Sequence, residues 1–305
     1  MKKLLPVLLI TMATSTFAQQ DPLFSQYMFN KLSLNPAYAG SHEILTLDAL
    51  YRYQWVNIDG APQTFSASVH TPLKNKHIGL GLNVYSDIIG PTGTQGALAT
   101  FAYRILFPDS KLCFGLQAGI KYSDILWARI EPYDLEDPLF RTQLKNKAVP
   151  DANFGVYYYT KKYYVGVSSK QLLQNQMIVA KVNGRDEFTK LLRHFYGMAG
   201  AAFPMSEGLV FRPSILVKFV QNSPPQMDLN ASFLVAQTFW IGASYRTEKA
   251  LSMMTEFRIS EKLRIGYSYD LWFNELQKLN KGSHEIRLGF DFDIFQNRML
   301  TPRYF

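Results

Sequence analysis

Alternation of apolar and polar residues at every second position is the feature that most constrains this chain. The pattern is clearest in four segments, 77–85, 111–122, 262–271 and 284–295. In the last of them Ile286, Leu288 and Phe290 alternate with Arg287 and Gly289. Since side chains along a β-strand point to opposite faces in turn, each segment has one apolar face and one polar or glycine-bearing face. The pattern predicts an all-β protein.

The spacing of these segments indicates how the strands are connected. About fourteen can be counted, and several are long enough to cross a membrane, which takes about 9–11 residues per strand. Every second gap is short, whereas the gaps at 125–151, 170–191 and 273–283 are long. Short periplasmic turns and longer extracellular loops are typical of outer-membrane barrels. We therefore predict a transmembrane antiparallel β-barrel of about 14 strands over residues 44–305, in the cell outer membrane.

Other architectures fit the sequence less well. A soluble two-sheet sandwich would turn its apolar faces inward, but the polar faces here are rich in Gly, Ser, Asn and Gln, as a barrel lumen is. Mean hydropathy is −0.09 and no long apolar run follows the first 18 residues, which excludes a helical membrane protein. Charged residues are 18% and hydrophobic residues 47%, so disorder is excluded. A single cysteine, Cys113, excludes a disulfide scaffold.

The first 18 residues have the features of a secretory signal peptide. Lys2 and Lys3 precede an apolar stretch at 4–10, and Thr16 and Ala18 supply small residues for cleavage after Ala18. An uncleaved anchor helix is the alternative, although the apolar stretch is short for a membrane span. The net charge of +8 comes from scattered cations, and export separates the protein from nucleic acid, so no nucleic-acid partner is expected.

Residues 19–43 are predicted to be a periplasmic N-terminal segment that packs on the barrel rim or plugs the lumen. Phe24, Tyr27 and Met28 share a short helical face, and with Phe29 they are the predicted plug residues. Charges on inward faces of the strands would help to fill a narrow lumen, and a lumen that does not conduct is predicted. The predicted inward charges are Arg212, Lys218, Arg246, Arg264, Asp270, Arg287, Asp291 and Asp293.

Candidate chemistry is sparse. The pairs His42-Glu43 and His284-Glu285 lack the second His of a zinc-protease motif and are predicted at opposite ends of the barrel. The acidic loop 131–137 could bind calcium or be solvated, and the sequence leaves this open. A membrane lipase is a weaker alternative. We predict no enzymatic activity and no cofactor.

The long loops carry the predicted partner site. Residues 125–151 are too apolar for a purely solvated loop, and exposed aromatic residues often anchor interfaces. The candidate partner-binding residues are Trp127, Ile130, Tyr133, Leu135 and Phe140. The alternative is that these side chains fold back over the barrel mouth as a lid.

Several short motifs carry a family resemblance that covers nearly the whole mature chain. They are DPLFSQYMFN at 21–30, NPAYAGS at 35–41, RYQW at 52–55, GAPQT at 60–64, the glycines at 79 and 81, DIIG at 87–90, GYSYD at 266–270, GSHEI at 282–286 and PRYF at 302–305. With these motifs the chain resembles the PorP/SprF family of type IX secretion system outer-membrane proteins, found in gliding and secreting Bacteroidetes.

The resemblance implies a non-enzymatic barrel that binds a secreted adhesin, or its C-terminal signal domain, and supports its secretion and surface attachment, including in gliding motility. Two alternatives stay open. The protein could be a core component of the apparatus tied to periplasmic peptidoglycan-linked or lipoprotein partners. It could also be an outer-membrane pore for small solutes. Besides these partners only outer-membrane lipid is expected.

Overall fold

The computed structural model describes residues 22–126, 129–130, 147–182 and 185–294. These residues form seventeen strands: β1 Leu45–Tyr53, β2 Gln63–Pro72, β3 Ile78–Ile89, β4 Thr92–Leu106, β5 Ser110–Ile125, β6 Lys147–Thr160, β7 Tyr163–Lys170, β8 Gln176–Val182, β9 Arg185–Lys190, β10 His194–Ala201, β11 Phe203–Ser206, β12 Leu209–Val220, β13 Gln226–Val235, β14 Phe239–Arg246, β15 Ala250–Arg258, β16 Leu263–Trp272 and β17 Ser283–Phe292. Short 3-10 turns occupy Lys31–Ser33, Pro36–Tyr38 and Glu275–Lys278. No helix within these residues has the length and hydropathy needed to cross a membrane.

The strands close into one antiparallel barrel. Each wall strand pairs with the next in sequence, and β17 pairs with β1. Strand β10 pairs with β7 on one side and with β12 on the other. Because β10 and β11 lie in succession along β12 with a break at Ala202, they act as one wall strand. Strands β8 and β9 form a separate hairpin, so the wall has fourteen strand positions and the predicted barrel is confirmed.

The connections differ between the two ends of the barrel. The turns that follow β2, β4, β6, β11, β13 and β15 have at most five residues. The opposite end carries the connections 54–62, 171–193 and 273–282, and the β8–β9 hairpin lies within the second of these. We call the two ends the turn end and the loop end. The gap predicted at 125–151 ends five residues earlier, because β6 begins at Lys147 and continues along β5 beyond its last pair with β7.

Burial alternates along the strands with apolar side chains outside. In β1, Leu47 and Tyr51 point outward while Asp48 and Arg52 are buried. Further outward side chains are Phe65, Leu82, Phe101, Leu116, Val165, Phe219, Leu229, Ile241, Met253 and Ile286. This polarity is the reverse of a soluble sandwich, and it matches a wall whose outer surface faces lipid.

An arginine placed on this outer surface should be costly. Met253 lies near the middle of β15 with about half of its surface exposed. We expect Met253→Arg to lower the free energy of unfolding by about 2–4 kcal/mol in lipid vesicles, since the charge would sit in hydrocarbon. Urea titration of the vesicle-embedded protein measures this change. The matched control is Leu279→Arg in the loop after β16, where Leu279 is also exposed; an equal effect of the two variants would contradict a lipid-facing wall.

Candidate functional site in the barrel lumen

The lumen contains the chain's own N-terminal segment, residues 22–43. Pro22 and Phe24 border a small cavity together with Ser66, Tyr85 and Lys170, which lie toward the loop end of their strands. At the turn end, Gly40 N donates to His70 Nδ1 at 3.2 Å, and Arg104 Nη2 donates to Ala39 O at 3.2 Å. The segment therefore runs down the lumen from the loop end to the turn end before β1 begins.

The predicted plug residues all lie within this segment. Phe24, Tyr27, Met28 and Phe29 are at most 7% exposed. Instead of the helix that their spacing suggests, residues 25–29 form a turn, and 3-10 turns follow at Lys31–Ser33 and Pro36–Tyr38.

One carboxylate binds the start of the segment through its backbone. The two Glu285 oxygens accept hydrogen bonds from Ser25 N at 2.9 Å and Gln26 N at 2.8 Å. Ser25 Oγ donates to Asp270 Oδ2 at 2.8 Å. Arg52 lies between these acids, with Nη1 2.9 Å from Glu285 and Nη2 2.6 Å from Asp270. All three ionic side chains are fully buried, so this charge cluster depends on internal partners.

A second cluster lies closer to the middle of the lumen. The Arg287 guanidinium forms ion pairs with Asp48 and Glu256, and its Nη2 donates to Phe29 O at 3.1 Å. Arg287 is completely buried and both carboxylates are nearly so. Here one cation joins strands β1, β15 and β17 to the segment.

Aromatic rings lie close to two further cations of the lumen, Arg212 and Lys31. Arg212 lies 4.1 Å from the Trp240 ring centroid and 4.9 Å from that of Phe29. Lys31 Nζ lies 4.6 Å from the Tyr164 centroid and donates to Met28 O at 3.0 Å. Ring faces attract cations, and the effect is larger where water is absent. These contacts let the apolar and basic parts of the lumen pack together.

The opposite wall receives the end of the segment. Asn35 Oδ1 accepts from Ala37 N at 2.9 Å, and Asn35 Nδ2 donates to the carbonyls of Val156 and Val167. Asn before Pro is a turn signal, because the side chain caps the backbone that follows. Here the same side chain also binds two wall strands.

Glycines make room for this backbone. A Cβ on Gly79 would overlap Ala39 O, and one on Gly115 would overlap Ala37 N. A Cβ on Gly155 would overlap Asn35 Oδ1. Because these three glycines have no side chain, the backbone of the segment can lie directly on the wall.

The predicted inward charges are placed as follows. Arg212, Lys218, Arg246, Arg264, Asp270 and Arg287 are buried, and Asp291 is half-buried. Asp293 is exposed, and that part of the prediction was wrong because β17 ends at Phe292 and the alternation ends with it. The sequence could not reveal the pairing, in which Arg246 binds Asp228 at 3.0 Å and Arg264 binds Asp291 at 3.0 Å.

The candidate partner-binding residues are mostly outside the described residues. Trp127, Tyr133, Leu135 and Phe140 belong to that group, as does the acidic loop 131–137. Ile130 is described and is half-buried.

The two His-Glu pairs lie at opposite ends of the barrel. His284 pairs with Tyr53 at the loop end, whereas His42 hydrogen-bonds Tyr38 and Thr46 at the turn end. Within the described residues no group of three or more His, Cys, Asp or Glu side chains could hold a metal ion. Glu43 instead binds Lys76 and Lys111. Burial alone would raise the pKa of this carboxyl, but the two lysines outweigh burial and hold it below its usual value.

Comparison with known proteins gives the following matches. The model of a family described as type IX secretion system membrane protein PorP/SprF matches residues 16–290. No curated protein matches the chain.

Among solved structures, the toluene transporter TbuX of Ralstonia pickettii superimposes with a TM-score of 0.51 at 9% identity, over 86% of this chain and 92% of that one. Omp33 of Acinetobacter baumannii gives 0.47 at 9% identity, over 82% and 98%. The toluene transporter TodX of Pseudomonas putida gives 0.47 at 11%, over 85% and 92%. The likeness to TbuX supports an outer-membrane barrel fold and, at this identity, says nothing of what this chain binds.

Proposed function

Because the chain belongs to the PorP/SprF family of type IX secretion system membrane proteins, we propose that it is a non-enzymatic outer-membrane barrel that binds a secreted adhesin. The barrel binds either the adhesin as a whole or only its C-terminal signal domain. Binding supports secretion of the adhesin and its attachment to the cell surface, and in a gliding cell it supports motility.

The filled lumen is the observation that carries this proposal. Tyr27, Met28, Leu32 and Tyr38 are each about 1% exposed inside the barrel. The segment that contains them is held by hydrogen bonds between its backbone and buried ionic side chains at successive levels of the lumen. A barrel occupied in this way is suited to act through contacts at its ends, and it is poorly suited to be an open pore for small solutes.

A second candidate is a core component of the apparatus that binds periplasmic partners. The observation in its favour is the charge at the turn end, where Lys74, Lys161 and Lys162 are exposed. Such residues could contact an acidic surface below the membrane.

Affinity purification of the tagged protein from outer membranes, followed by mass spectrometry, distinguishes the two candidates. Our proposal expects a large secreted protein to co-purify in near-stoichiometric amount. Recovery of periplasmic or lipoprotein components alone would favour the core role and contradict adhesin binding.

The aromatic residues of the loop between β5 and β6 should carry partner binding. This prediction rests on the sequence, since Trp127 and Tyr133 lie outside the described residues. We expect the double variant Trp127→Ala, Tyr133→Ala to weaken capture of the secreted partner by about tenfold or more, because aromatic anchors dominate interface energies.

Folding and binding are separated in this experiment by gel mobility and by a control. The double variant should keep the heat-modifiable mobility of a folded barrel. The matched control is Phe273→Ala with Leu279→Ala, in another loop at the same end, where both side chains are exposed. Unchanged surface display of the adhesin in the Trp127/Tyr133 variant would refute the loop assignment.

A further inference from the structure

The pairing of β1 with β17 joins the two ends of the barrel sheet. Its register runs from Leu45 opposite Phe292 to Tyr53 opposite His284. These strands are the first and last of the wall, so their pairing has the largest sequence separation in the sheet and the largest loop-closure cost. We call the β1–β17 pair, with the inward side chains beside it, the seam.

The polar contacts of residues 25–29 concentrate on the seam. Ser25 N and Gln26 N donate to Glu285 of β17, and Arg52 of β1 donates to Ser25 Oγ at 2.8 Å. Phe29 O accepts from Arg287 of β17, which also binds Asp48 of β1. Three residues of the segment therefore contact the seam at two levels, Ser25 on both strands and Gln26 and Phe29 on β17.

The segment completes the hydrogen bonding of the carboxylates beside the seam. In the cluster at the loop end one guanidinium, Arg52, forms ion pairs with two buried carboxylates, Asp270 and Glu285. The missing donors are supplied by Ser25 N, Ser25 Oγ and Gln26 N. Buried carboxylates without donors are costly. Without the segment, the bonds that join Ser25 directly to both β1 and β17 would be lost at the place where closure is hardest.

The rest of the segment runs from β2, the strand that pairs with β1, to β7 on the far wall. Asn30 Nδ2 donates to Ser68 Oγ at 3.1 Å, and Ser168 Oγ donates to Leu34 O at 2.7 Å. The first contact is to β2 and the second to β7. The segment thus links the seam to the wall across the lumen.

From these contacts we propose that the seam is a peptide-binding site whose ligand is the chain's own residues 22–34, and that occupation of this site closes the barrel. The part of this ligand that contacts the seam is the uncharged turn 25–29, which offers two successive N–H groups and a hydroxyl. The site acts in assembly and does not depend on the adhesin-binding role.

A cleavable full-length protein tests the proposal. A protease recognition sequence is inserted between His42 and Glu43, at the turn end, and the folded protein is cut in detergent. The N-terminal fragment should stay bound through gel filtration. Glu285→Gln should speed its dissociation by about tenfold, because two hydrogen bonds to a charged acceptor are weakened. The matched control Glu207→Gln, on an exposed turn, should leave the dissociation rate unchanged.

Disulfide trapping measures whether β1 and β17 are paired. Ala49→Cys with Leu288→Cys spans the seam, and Ala67→Cys with Val84→Cys spans the β2–β3 pair, each at directly opposed positions. The native Cys113 is buried and gives little background. After the reduced protein releases the fragment in mild urea, added oxidised glutathione should no longer form the seam disulfide, whereas the β2–β3 disulfide should still form. Equal trapping of the seam with and without the fragment, or a Glu285→Gln rate equal to the control, would overturn the proposal.

Discussion

Arg287→Met should lower the free energy of unfolding by about 3–5 kcal/mol, the largest effect that we expect from a single substitution in the lumen. Arg287 is fully buried and is the shared partner of Asp48 and Glu256. Methionine fills much of the same space but removes the ion pair of Asp48, leaves Glu256 with only the 3.9 Å contact to Arg264, and leaves Phe29 O without its donor. Guanidinium-induced unfolding in detergent, followed by heat-modifiable gel mobility, measures the loss.

The control for this variant is a lysine whose ion pair lies in water. Lys278 pairs with Glu275 at 2.8 Å, and both side chains are highly exposed. Lys278→Met should change stability by less than about 1 kcal/mol, since exposed pairs contribute little. A comparable loss in the two variants would show that the buried cluster does not stabilise the barrel.

Removal of the N-terminal segment should convert a non-conducting barrel into a conducting one. The intact protein should give no steady single-channel currents in planar bilayers, because residues 22–41 fill the lumen. Release of the cleaved fragment should produce steady currents. The experiment uses protein whose seam is already locked by the Ala49→Cys, Leu288→Cys disulfide, so that the wall stays closed.

Two outcomes would contradict the plug. Steady currents from the intact protein would mean that a water path passes the segment. Absence of currents after release, in a preparation that still shows folded mobility, would mean that side chains of the wall close the lumen without the segment.

The wall could be predicted from the sequence because its signal is local. A period of two is written into each strand, and it fixes which side chains face inward once the strand is recognised. The inward positions of Arg212, Asp270 and Arg287 follow from this alternation alone. The alternation fails as a guide at Asp293, because β17 ends at Phe292 and residues beyond a strand need not alternate between its two faces.

The site could be predicted only in outline. Burial of Phe24, Tyr27 and Met28 follows from their apolar character, but the turn that they form does not follow from helical spacing. The binding of Ser25 and Gln26 to Glu285 joins residues about 260 positions apart. Such a contact depends on the register of the whole closed sheet, which no local pattern contains.

Four glycines of the wall leave space for the N-terminal segment, which is not itself part of the wall. A Cβ would overlap Ala39 at Gly79, Ala37 at Gly115, Asn35 at Gly155 and the Gln26 side chain at Gly266. These positions lie on β3, β5, β6 and β16, and together they trace the route of the segment through the lumen. The inner surface of the wall is therefore complementary in shape to the segment at these four positions. A barrel sequence could be searched for the same four gaps, and finding bulky residues there would mean that its N-terminal segment takes another route.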